Sequence, residues 1–123
     1  MEPRKDLENE HPVPIEWRRT FDEIVDRFID GDYALERGVE HVKTIPDDTA
    51  RHIADYIEDY GEVLVPLTER SWQYSVVQWQ GDYWEALVNL CTQSEGVSDL
   101  VIHAFIKELS GEYVFEIHLV YVP

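Results

Sequence analysis

The last third of the chain, residues 71–123, alternates apolar and polar positions in four runs joined by glycine-containing turns. That period of two predicts antiparallel strands. The first hairpin is predicted as Trp72–Gln80, a Gly81-Asp82 turn and Tyr83–Thr92. Glycine in the first central position suits a two-residue type II′ connection. The resulting register sets Trp79 opposite Trp84, Val77 opposite Ala86 and Ser75 opposite Val88, and this set is expected inward. Trp72, Tyr74, Val76, Gln78, Glu85, Leu87, Asn89 and Cys91 then share the outer face.

In the second hairpin Leu100, Ile102, Ala104 and Ile106 alternate with Val101, His103, Phe105 and Lys107. Its last strand alternates Tyr113, Phe115, Ile117, Leu119 and Tyr121 with Val114, Glu116, His118, Val120 and Val122. A turn at Ser110-Gly111 predicts that His103 faces His118 and Phe105 faces Glu116. The all-apolar set is expected inward, because a one-residue slip would bury His103, Glu116 and His118 together. Between the hairpins, Gly96 supplies a turn, and Ser98 or Asp99 can bond the local backbone.

Upstream the period changes to that of helices. Thr20-Phe21-Asp22-Glu23 has the form of a capping box, followed by the stripe Phe21, Ile24, Val25, Phe28 and a stop at Gly31. A start at Pro14 with a joint near Thr20 is the alternative. Residues 32–45 are weakly periodic and read as a connection with one turn of helix at Tyr33–Arg37. Thr44-Ile45-Pro46-Asp47 opens a second helix with the stripe Ala50, Ile53, Ala54, Ile57, ended by Gly61. Its other side carries Asp48, Arg51, Asp55, Glu58, Asp59 and Glu62, with Arg51 and Asp55 spaced as an i,i+4 pair. Val63 to Leu67 is a short apolar link, a candidate strand stopped by Pro66.

The expected fold is therefore α+β: two main helices packed on one face of a four-stranded antiparallel meander. Residues 1–19 are expected as an N-terminal arm, loose through His11-Pro12-Val13-Pro14 and pinned at its end by Ile15 and Trp17, and residues 20–123 as a single domain. A chain of 123 residues is large enough to bury about two-thirds of its unfolded surface.

Charge changes the functional picture most. There are 26 acidic and 10 basic residues, a formal net of −16. The acidity is spread, with 19 acids against 9 bases up to Arg70 and 7 against one beyond it. Such a chain repels phosphate, so nucleic acid is excluded as a partner. A basic protein partner, drawn by electrostatic steering, is the sharper reading beside plain solubility. No stretch has the apolar length to cross a membrane. The N-terminal residues carry no apolar signal region, and Cys91 is the one cysteine, so a cytoplasmic location is expected.

Glu95-Gly96-Val97-Ser98-Asp99-Leu100 and Phe115-Glu116-Ile117-His118-Leu119-Val120-Tyr121-Val122-Pro123 together resemble the C-terminal signature of an uncharacterised bacterial family of small acidic domains. Tyr56-Ile57-Glu58-Asp59-Tyr60-Gly61 and Trp79-Gln80-Gly81 are similar to it as well, which extends the resemblance over roughly residues 20–123. The resemblance implies a bacterial cytosolic domain and supplies no activity and no catalytic residues.

Candidate chemistry is sparse. His103, His118 and Glu116 could offer nitrogen and oxygen ligands to zinc, the basis of an alternative reading as a small metal-assisted enzyme. No catalytic residue and no cofactor is otherwise called for: Cys91 has no spaced histidine, and the glycines form no phosphate loop. The outer sheet face is the stronger feature. Trp72, Tyr74, Val76, Leu87, Phe105, Val120 and Val122 would expose much apolar surface there. Three occupants stand open: a protein partner, a cover formed by residues 62–70 or the arm, and a second copy in a homodimer. The favoured function is a small acidic protein-binding module, of which a toxin-neutralising immunity protein is the concrete example. Its expected contact residues are Trp72, Tyr74, Val76, Leu87, Phe105, His103 and His118, with Asp55, Glu58 and Asp59 steering.

Overall fold

The structure is a computed structural model that describes residues 3–123. Met1 and Glu2, the first residues of the expected arm, lie outside the described residues. The architecture is α+β, with helices packed on one face of an antiparallel sheet that has five strands instead of the four expected.

Helix α1 spans Ile15–Ile29. It starts from Pro14 and runs through Thr20 without a joint, so the expected capping box lies inside the helix. Trp17 explains the earlier start. It extends the stripe to Trp17, Phe21, Ile24, Val25 and Phe28, all buried, and tertiary burial of that stripe outweighs a local cap. The connection that follows holds no helical turn. Asp32 accepts the backbone N–H groups of Glu36 (2.8 Å) and Arg37 (3.1 Å), fixing a turn that buries Leu35 at φ 58°.

Helix α2, Asp47–Tyr60, also starts from a proline, Pro46, with no side chain capping it; Thr44 does not serve. It buries Ala50, Ile53 and Ile57 and ends on Gly61 in the left-handed region, φ 83°. Arg51 pairs with Asp48 (3.9 Å) and not with the expected Asp55.

Strand β1 is Leu64–Val65, helix α3 is Glu69–Tyr74 and strand β2 is Val76–Trp79. Thus the start of the expected hairpin strand, Trp72–Tyr74, is helical. Ser71 Oγ donates to Thr68 O and Ser75 Oγ to Ser71 O, both at 2.8 Å, which favours a helical turn over extension. That turn swings Trp72 onto Phe21 of α1 and leaves Tyr74 outside.

Strands β3 (Trp84–Thr92), β4 (Gly96–Leu109) and β5 (Glu112–Tyr121) complete the sheet. β1 and β2 occupy the two ends of one edge of β3, and β4 and β5 follow on its other side. The expected register of β2 with β3 holds: Trp79 pairs with Trp84 and Val77 with Ala86. Between β3 and β4 the register shifts after Asn89 and Val101. Ser98 clamps the irregularity, donating to Leu90 O (2.8 Å) and accepting the N–H of Leu100.

β4 and β5 pair as expected from Leu109–Glu112 to Ala104–Ile117, and there a bulge intervenes. His103 pairs with Leu119 and Ile102 with Val120, so His118 is an extra residue. Beyond it the facing inverts. Val120, expected outside, is fully buried, and Leu119 and Tyr121, expected inside, stand half-buried on the other face.

The core lies between the helices and the inner sheet face, where Trp17 meets Trp84 and Phe115 edge to face at 5.6 and 5.7 Å. The segment before α1, expected loose, is held. His11 and Val77 exchange two backbone hydrogen bonds of 2.8 Å, and Arg4 O accepts from the Trp84 indole at 3.0 Å. At the opposite edge, His41 and Lys43 bond Phe115 of β5 through a parallel bridge.

Candidate protein-binding face

The helices cover one side of the sheet; on the other, Cys91 and Val101 at one end are buried outside the core cluster, with Thr68 Oγ1 3.7 Å from Cys91 Sγ, and the remainder lies open. Two rows of cross-strand neighbours traverse that open face: Val76–Leu87–His103–Leu119 and Gln78–Glu85–Phe105–Glu116. Every side chain in these rows keeps some exposure to water, whereas the inner-face residues Ala86 and Ala104 between them, and Ile106 beside them, have none.

Phe105 is the hub of the face. Its ring lies 5.3 Å from Tyr83, 5.1 Å from His103 and 5.2 Å from His118. His103 in turn meets His118 edge to face at 5.2 Å and Tyr121 at 5.9 Å. The bulge makes this cluster possible, since an extra residue opposite His103 lets His118 and Leu119 both reach the open side. Aromatic contacts of this kind hold rings in place at little entropic cost, which makes a stiff contact surface.

Carboxylates flank the cluster. Glu85 Oε2 lies 3.0 Å from His103 Nε2, close enough for an ion pair with a protonated ring, though off the line of a hydrogen bond. Glu116 Oε1 accepts from Lys43 Nζ at 3.2 Å, with both side chains more than half exposed. The zinc candidates His103, His118 and Glu116 are therefore not assembled as a ligand set. Two are rings in edge-to-face contact, and the third, a carboxylate, is paired with a lysine. Among the described residues no three His, Cys, Asp or Glu side chains gather to hold a metal ion. Cys91 is buried, with Thr68 Oγ1 3.7 Å from its Sγ.

Of the contact residues expected from sequence, Val76, Leu87, His103, Phe105 and His118 come together on this face. Trp72 does not: it is a core residue of α3, 6% exposed and stacked beneath the Arg18 guanidinium. Tyr74 is 53% exposed but belongs to α3 and not to the sheet. Asp55, Glu58 and Asp59 are exposed on α2, in the layer opposite the open face. Tyr83, Leu119 and Tyr121 join the face without having been expected there. The run Leu119-Val120-Tyr121-Val122 is apolar throughout, so it contains no alternation from which its facing could be read. A groove of about 470 Å³ lies elsewhere, lined by the N-terminal segment and the start of α1, and shares no residue with the face.

A small, strongly acidic α+β domain with one sheet face covered by helices and the other carrying an aromatic–imidazole cluster is the class that fold and site define. The chain belongs to the family described as Domain of unknown function (DUF7668), whose model matches residues 25–123. The match takes in the end of α1, all of α2 and the whole sheet, and so the entire open face. No curated protein and no solved structure matches the chain.

Proposed function

We propose that this DUF7668 domain is a protein-binding module that presents its open sheet face to a basic partner. The observation that carries the reading is the cluster of Phe105, His103, His118, Tyr83 and Tyr121. Folding requires apolar side chains on the inner face only, and a solvated face is ordinarily polar. Partly exposed rings rimmed by charge are the composition of interface centres. The net charge of −16 favours a positively charged partner, and like-charge repulsion disfavours a second copy as occupant. Asp55, Glu58 and Asp59 act at a distance in this reading, accelerating encounter without touching the partner. An acidic domain that masks a basic toxin in the bacterial cytoplasm is the concrete form of the proposal. No helix among the described residues is long and apolar enough to cross a membrane.

The test is affinity capture from the native host with the wild-type chain and with the double variant Phe105→Ala, His118→Ala. A basic protein held by the wild type and released by the variant, with circular dichroism unchanged, supports the reading. A partner retained undiminished by the variant overturns the open face as the binding surface. Raising salt should slow association far more than it changes dissociation, if steering contributes as described.

A further inference from the structure

We propose that the Glu85–Phe105–Glu116 row receives an arginine side chain of the partner. The inference rests on the open face being the protein-binding surface and names the chemistry of its central contact. Phe105 sits directly between the two glutamates in the pairing of β3, β4 and β5. Adjacent strands are about 4.8 Å apart, so the two glutamates stand on opposite sides of the ring; their carboxylates now lie 3.0 Å from His103 Nε2 and 3.2 Å from Lys43 Nζ, and would turn to a cation centred over the ring. A cation above an aromatic face is attracted by the ring quadrupole, and nearby carboxylates add to that attraction.

Arginine fits better than lysine. Its guanidinium is planar, so it can lie on the ring while its N–H fork donates sideways to a carboxylate, which an ammonium cannot do. It is also more weakly hydrated and gives up water at lower cost on an apolar patch. The cation already beside the row does not block it. Lys43 reaches Glu116 from the connection between α1 and α2, and the pair is exposed at 57% and 52%. Such exposed pairs contribute little and exchange readily. A second copy of the chain would instead bring glutamates against glutamates, and nucleic acid would bring phosphate against them.

The experiment is an NMR titration of the full chain with three capped tripeptides, Gly-Arg-Gly, Gly-Lys-Gly and Gly-citrulline-Gly. The arginine peptide should move the ring resonances of Phe105, Tyr83 and His118 saturably, the lysine peptide should bind more weakly, and citrulline should have no effect. Phe105→Leu keeps the apolar bulk and removes the π-face, and should weaken the arginine peptide about tenfold. Glu85→Gln with Glu116→Gln should weaken it at least as much. Equal shifts from citrulline, or arginine shifts unchanged in both variants, overturn the proposal. So do shifts confined to the acidic side of α2. The two readings fail separately. If Phe105→Ala releases the captured protein while Glu85→Gln with Glu116→Gln retains it, the face stands and the arginine contact falls. If neither variant matters to the protein partner, both fall.

Discussion

Trp72→Ala offers the sharpest check on the packing described above, because alternation alone places Trp72 and Tyr74 on the same solvated face. In the structure Trp72 is 6% exposed, its ring 6.4 Å from Phe21 and 5.4 Å from the Arg18 guanidinium. A buried tryptophan removes up to about 250 Å² from water. At about 25 cal/mol per Å² that is near 6 kcal/mol for the whole side chain, an upper bound, since the unfolded chain already hides part of it. Alanine keeps a methyl group and neighbours relax into part of the cavity, so the expected loss is about 4 kcal/mol. A chain of 123 residues has a total stability of roughly 6–18 kcal/mol, so the variant should remain folded but weakened. Urea unfolding followed by circular dichroism measures the loss, and the thermal midpoint should drop by more than about 10 °C. Tyr74→Ala, two residues away and 53% exposed, should cost under about 1 kcal/mol. Equal small losses for both variants, with unchanged m-values, would refute the assignment of Trp72 to the core and of residues 69–74 to a helix.

Further expectations concern the bulge and two carboxyl groups. Deleting His118 should leave Leu119 opposite His103 and Val120 opposite Ile102, so the fold should survive with a modest drop in thermal midpoint; unfolding would show that the bulge itself holds β5. The backbone N–H of Glu8, and then the side chains of His11 and Asn9, hold the Asp6 carboxyl down at about 2 from an ordinary 3.8. A depressed carboxyl stabilises the folded arrangement above its unfolded value and loses that contribution as pH falls through the folded one. The N-terminal segment should therefore loosen between pH 3.8 and about 2, read from the Trp84 indole N–H, whose acceptor is Arg4 O. Asp22 is raised instead, by burial first and then by Asp26 and Glu69. Its ionisation thus opposes folding as pH rises above 3.8, so Asp22→Asn should raise the melting temperature at pH 7 and lose that advantage at pH 3.

The parts of the fold legible in the sequence are those where one physical signal acts alone. The stripes of α1 and α2 and the register of β2 with β3 follow from periodicity and from a turn with one good geometry. The α+β class follows from them. Elsewhere two signals compete. Residues 69–75 satisfy a period of two through Trp72 and Tyr74, yet the hydroxyls of Ser71 and Ser75 bond backwards along the chain and settle the segment as helix. Burial of Trp17 extends α1 past a plausible cap at Thr20. The segment before α1 has polar, proline-containing composition, and only the free edge of β2, a tertiary feature, gives His11 a backbone to pair with. For the candidate site, five of the seven side chains expected at contact reach the open face. The other two, Trp72 and Tyr74, are lost with the strand that became α3.

The bulge at His118 shows how closely site and fold are joined. Without an extra residue, continuing the regular pairing past Ile117 would turn Val120 outward and drive Leu119 and Tyr121 into the helix layer, which Ile53 and Ile57 help to fill. With it, Val120 packs fully buried against the core, and the bulkier Leu119 and Tyr121 join His103 on the open side. The same residue therefore restores the inner face and enlarges the outer one. Burial requires only that the parity be restored, and a glycine or serine at the bulge would do this as well as an imidazole. What the histidine adds lies entirely on the open side, where its ring meets both Phe105 and His103. His118→Ser should thus leave stability nearly unchanged in a urea titration while weakening whatever the open face binds. A loss of several kcal/mol would instead assign the ring to holding the sheet together.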